Sequence, residues 1–182
     1  MISLKSEITK KLLNYFFLHP EEELYVNELS RTLSLDKRNL VKKVRELETE
    51  GLLKSETRGN LKLYRINKDY PLYNEYRQIV FKTVGFEENL RKALKKVKGV
   101  KESYVYGSYA KDKMDAYSDI DLLVVGGHSI NSLQQELNKL QKETNREINA
   151  VNIEQDEFNR KIKNKDPLIT AVLKDKHIKI IL

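Results

Sequence analysis

The stretch YVYGSYAKDKMDAYSDIDLLVVGG, residues 104–127, sets two apolar runs around a Gly-Ser turn and puts Asp119 and Asp121 at the head of the second. The run IDLLVV is almost unbroken aliphatic, the pattern of a strand covered on both faces. A carboxylate taken out of water costs on the order of several kcal/mol unless it is paired. Two of them at the start of such a strand are therefore there to hold something. Alternate residues of a strand share a face, so both side chains project together. The first strand ends at Gly107, which lets the backbone approach a neighbour closely, and Ser108 opens a short helix through about Met114. Backbone N–H groups at that helix start, with the Ser108 hydroxyl, suit phosphate oxygens. Hard carboxylate oxygens beside a phosphate pocket suit Mg²⁺, which is usually held by one or two carboxylates plus substrate phosphates. The expected contents are magnesium and a nucleoside triphosphate.

These residues resemble the DNA polymerase β-like nucleotidyltransferases, in their minimal, kanamycin nucleotidyltransferase-like branch. The pattern reads Gly107-Ser108-Tyr109-Ala110-Lys111-Asp112, five residues, then Ser118-Asp119-Ile120-Asp121-Leu122-Leu123-Val124. The resemblance covers roughly residues 73–182 and implies an α/β fold with a small mixed sheet. It implies that Gly107 and Ser108 contact the triphosphate and that Asp119 and Asp121 bind the metal; ATP is the expected nucleotide. Two positions depart from it. Asp112 stands where the family carries a glycine and places an acid near the phosphates. On the candidate strand REINAVNI, residues 146–153, Asn149 takes the place of the third carboxylate, which in the family activates the attacking hydroxyl. An amide is no general base at neutral pH. Glu147, two residues earlier on the same face, is the candidate substitute, set against its reading as a solvated edge-strand side chain.

The N-terminal part is patterned differently. Apolar positions Ile8, Leu12, Leu13 and Phe16 predict an amphipathic helix within residues 5–18; a short helix fits VNELSRTL with Asn27 as its cap. A third helix runs from the cap Asp36 to the stop signal Gly51, and two strands, LLKSET and LKLYRI, follow across RGN as a hairpin. Three helices and a hairpin are the order of a winged helix-turn-helix, and residues 5–68 resemble bacterial and archaeal winged-helix regulators. In the third helix Leu40, Val41, Val44 and Leu47 share one face, while Arg38, Asn39, Lys42, Lys43 and Arg45 share the other. Bases first and acids last oppose the helix dipole, so local stability does not select that order. A DNA-facing recognition helix does: Arg38 and Asn39 reach base edges, Lys42 and Lys43 reach phosphates, and Arg58 at the wing tip meets the adjacent backbone or minor groove. The competing reading is a solvated basic face.

The expected fold is therefore α+β in two domains. A winged helix-turn-helix fills residues 1–70 and a nucleotidyltransferase fold fills residues 71–182, with a long connecting helix over about residues 73–98. Two helices split near Asp166-Pro167 and a last strand HIKII complete the chain. The net charge of +7 favours a polyanionic partner, yet it is spread over both halves. With no cysteine, there are no disulfides or thiolate metal sites, and no apolar run is long enough for a membrane span. A cytoplasmic protein without a membrane partner is expected. The expected function is Mg²⁺-dependent transfer of a nucleoside monophosphate from an NTP to a hydroxyl acceptor, small molecule or protein, coupled to DNA binding, with a homodimer as the expected assembly. The alternative is a DNA-binding transcriptional regulator, or an antitoxin-like protein, whose nucleotidyltransferase domain binds nucleotide without turnover.

Overall fold

The computed structural model describes residues 3–115 and 117–180. The chain divides into two compact units between Glu88 and Asn89.

In the first unit α1 (Glu7–Leu18) is followed by β1 (Leu24–Tyr25), α2 (Val26–Leu33), α3 (Lys37–Thr49), β2 (Leu53–Arg58), β3 (Leu61–Ile66) and α4 (Tyr73–Thr83). Ser6 caps α1 and Asp36 caps α3, the latter accepting from the Asn39 amide at 3.0 Å. Asn27, expected to cap α2, lies within its first turn instead. The Glu28 carboxylate reaches back to the Tyr25 amide at 3.1 Å and supplies that cap. Gly51 ends α3 at φ +79°, its amide on the Glu48 carbonyl and the Leu52 amide on the Leu47 carbonyl. β3 lies between β1 and β2 in an antiparallel sheet, with Leu53 opposite Ile66 and Arg58 opposite Leu61. Leu12, Leu13, Phe16, Leu40, Val44 and Leu47 fill the core, and Val41 is half-buried.

The expected single helix over residues 73–98 is corrected: it is two helices, α4 and α5 (Phe86–Lys95). The Gly85 amide turns back onto the Val80 carbonyl at 2.7 Å and closes α4. A β-carbon on Gly85 would meet the Asn14 Oδ1 at 2.6 Å and the Val80 oxygen at 2.9 Å, so only glycine fits the break. The division of the chain consequently lies beyond Pro71. α4 belongs to the first unit, where the Phe17 ring of α1 packs edge-on against Tyr73 and Phe81.

The second unit takes in most of α5, then β4 (Val100–Tyr106), α6 (Gly107–Ala110), β5 (Ile120–Gly126), α7 (Ile130–Thr144), β6 (Ile148–Ile153), α8 (Gln155–Lys163), α9 (Pro167–Lys174) and β7 (Ile178–Ile180). Its four strands run in the order β6-β5-β4-β7; β5 and β6 are parallel and the other two pairs antiparallel, which makes the small mixed sheet. Leu122, Leu123, Val124 and Val125 of β5 are 0% exposed, as expected for a strand covered on both faces. On one face Tyr104, Leu123, Val125 and Ile153 pack with Phe158, Ile169 and Val172 from α8 and α9. The separation of α8 from α9 falls where Asp166 and Pro167 predicted it: Asp166 caps α9 by accepting from the Ile169 amide at 3.2 Å. Among the described residues no helix is long and apolar enough to cross a membrane.

Candidate functional site

β4 delivers Gly107 and β5 delivers Asp121 to the same end of the sheet. The register sets Tyr106 of β4 opposite Asp121, and Asp121 opposite Asn149 of β6. Strand alternation places Asp121 and Asn149 on the face that carries Leu123 and Val125 further along. Gly107 adopts φ +69°, and a β-carbon there would fall 2.0 Å from the Asp121 Oδ2. The close approach that the glycine permits is thus to the Asp121 carboxylate. The helix expected to open at Ser108 and run to about Met114 is instead the single turn of α6, which starts at Gly107 and ends at Ala110; the Ser108 hydroxyl donates to the Asp119 carbonyl at 3.5 Å. Gly107, Ser108, Asp119 and Asp121 are all half-buried and form one cluster.

Its electrostatics are those of a site for a cation. Burial first, and then the Asp119 charge, push the Asp121 carboxyl above its ordinary value. Burial and the Asp121 charge push the Tyr106 phenol up as well. Asn149 donates from Nδ2 to the Asp119 Oδ2 at 2.9 Å, so the amide that replaces the expected third carboxylate already serves one of the two acids. Two carboxylates in mutual repulsion, with an amide beside them, form a hard-oxygen donor set that fits Mg²⁺. Among the described residues no group of three His, Cys, Asp or Glu side chains could hold a metal ion, so Glu147 does not complete a triad. Glu147 is exposed, and its backbone carbonyl takes the Ile120 amide at 3.0 Å.

Asp112 adopts φ +56°, the left-handed conformation for which glycine is the unstrained choice. Its carboxylate pairs with Lys176 at 2.5 Å, next to the reciprocal pair Lys111–Asp175 at 2.6 Å. The extra acid is therefore matched by a lysine.

The loop that leads into β5 holds a residue that sequence reasoning passed over. Asp115 accepts from the Tyr117 amide and the Ser118 hydroxyl at 2.9 and 2.8 Å, and these bonds, the hydroxyl first, hold it below its ordinary value. Arg146, 6% exposed, donates from Nη1 to the Ser118 carbonyl at 3.0 Å. In sequence it reads as one more polar residue between α7 and β6. The signal was its place directly after Asn145, a left-handed stop, and directly before a buried strand.

In the first unit Arg38, Asn39 and Lys42 are exposed on α3. Lys43 is half-buried and pairs with Glu46 at 2.7 Å. Glu48 is bound to Lys62 at 2.8 Å and to the Ser55 hydroxyl, which removes it as a competing charge. Among the described residues the Lys37, Arg38 and Lys42 side chains have no partner. Arg58 is different: its guanidinium is taken by Glu23 at 2.7 Å and Glu56 at 3.1 Å.

The family model described as the nucleotidyltransferase domain matches residues 87–180, which contain the whole Gly107–Asp121 cluster. A solved protein of Sulfolobus solfataricus, itself described as a candidate nucleotidyltransferase, aligns at 18% identity over 41% of this chain and 68% of its own, with a TM-score of 0.29. A likeness of that size fixes neither fold nor reaction. No curated protein matches the chain. With just over half its length matched, this chain belongs to the nucleotidyltransferase domain family.

Proposed function

We propose that the second unit transfers a nucleoside monophosphate from an NTP, with ATP as the first candidate, to a hydroxyl acceptor in a Mg²⁺-dependent reaction. The observation that carries this reading is the Asp119–Asp121 pair, half-buried and mutually repelling, set against Gly107 and Ser108. Gly107 and Ser108 receive the triphosphate, and Asp119 and Asp121 hold the metal. The bound metal supplies charge neutralisation at the phosphates. The chain orients the α-phosphorus so that the acceptor oxygen attacks in line while the bond to the β-phosphate breaks and pyrophosphate leaves. Asn149 cannot take the acceptor proton at neutral pH. Glu147 is the carboxylate proposed for it, reached from the solvent side. The test is transfer of label from an α-³²P NTP to small-molecule and protein fractions of a cell extract. Label retained by the Asp119→Asn/Asp121→Asn protein would sink the assignment.

The first unit, in this reading, is a winged helix-turn-helix that binds DNA, with the protein acting as a homodimer. The unpartnered Lys37, Arg38 and Lys42 on α3, and the removal of Glu48 by Lys62, support it. A second reading draws on the Asn149–Asp119 bond: a regulator that binds nucleotide without turnover and reports it to DNA. Nucleotide binding with no label transfer would favour that one.

A further inference from the structure

We infer that Arg146 is a positioning residue for the Asp119–Asp121 pair, tying the start of β6 to the loop that presents Asp119; this rests on the reading of the pair as a metal site. An arginine only 6% exposed is expensive to bury unless its charge and donors are used. Here Nη1 is spent on the Ser118 carbonyl, the peptide immediately before Asp119. That same short segment is fixed from three further directions. The Ser118 hydroxyl is bound to Asp115, the Asp119 carbonyl accepts from Ser108, and the Ile120 amide is bonded to the Glu147 carbonyl, next to Arg146 in the chain. Arg146 also contributes to holding Asp115 below its ordinary value, so its charge reaches across the loop. The other supports named draw on a carboxylate, a neutral hydroxyl and a backbone ladder contact. Arg146 alone among them brings a positive charge, directed at a loop whose next two acids repel one another.

Groups that orient metal ligands commonly change metal affinity by about 10- to 100-fold when removed. Arg146 acts one bond further back, through the backbone, so the lower end applies.

The probe is Mn²⁺ alone, titrated into the full chain and followed by electron paramagnetic resonance of the free ion, with folding checked by circular dichroism. Arg146→Ala is expected to remain folded and to weaken Mn²⁺ binding by about tenfold. Millimolar guanidinium should restore part of that loss and leave the wild type unchanged, which a purely structural defect would not do. A folded Arg146→Ala protein that binds Mn²⁺ like wild type overturns the inference while the metal site stands. If Arg146→Ala fails to fold, Arg146→Met takes its place, with the same two outcomes. Failure of the wild type itself to bind Mn²⁺ overturns both the metal-site reading and this inference.

Discussion

Asp121 sits in an environment that resists its own charge. Its carboxyl is raised above the ordinary value, so the folded chain holds the proton more tightly than the unfolded chain does. The stability linked to that proton is fully present below the unfolded value near 3.8 and is lost as pH rises through the raised folded value. At pH 7 the ionised group is therefore a net cost that solvent screens in part, and Asp121→Asn should stabilise the fold by at most about 0.5 kcal/mol. Thermal melts check this: the advantage should shrink toward pH 4, as the wild-type carboxyl protonates, and shrink again when Mg²⁺ is added. Asn149→Asp should act in the opposite sense. It removes the bond to Asp119 and adds a third negative charge, so melts without metal should fall while Mn²⁺ affinity rises by about tenfold. Asp119, Asp121, Gly107 and Ser108 were legible in the sequence because strand alternation and a short local spacing bring them together. Arg146 was not, because its partner is a backbone carbonyl, which leaves no mark in side-chain chemistry. The pairing of Asp112 with Lys176 was hidden for a related reason: it depends on where β7 returns beside β4.

Two glycines decide how elements meet. At Gly107 an alanine would need φ +69° and would push its β-carbon into the Asp121 carboxylate. Gly107→Ala should cost about 1–3 kcal/mol and abolish nucleotide binding, read by melts and titration. At Gly85 the obstacles are a backbone carbonyl and Asn14, so Gly85→Ala should destabilise the first unit without touching the second unit's cluster. Periodicity ran across this break because α4 and α5 are both amphipathic, and a single glycine within a helical pattern is a weak stop. On α3 the expected DNA contacts separate by pairing. Lys42→Ala should lower DNA affinity and reduce the salt slope by about one unit, as for one phosphate contact. Arg58→Ala should change affinity little, because Glu23 and Glu56 already neutralise that guanidinium. Gel-shift titrations at two salt concentrations check both.

At the scale of the whole chain, the mixed sheet was implied by the family resemblance, and the change from helices and a hairpin to alternating strands and helices was visible in the sequence. The point of division was not. Pro71 looks like a boundary by composition, whereas α4 is claimed by the aromatic packing of Phe17 with Tyr73 and Phe81, which only the fold reveals. The net charge of +7 is likewise uninformative until individual pairs are resolved, since much of the first unit's basic surface is spoken for by its own acids. The central property proposed for this chain is a metal-dependent nucleotide pocket at the shared end of β4 and β5. Calorimetric titration of Mg·ATP into the wild-type chain and into the Asp119→Asn/Asp121→Asn protein, with GTP and CTP in parallel, tests it most directly. Binding of at least one nucleotide that needs both the metal and the two aspartates is the predicted result; no binding of any of the three, or equal binding by the double variant, would contradict it.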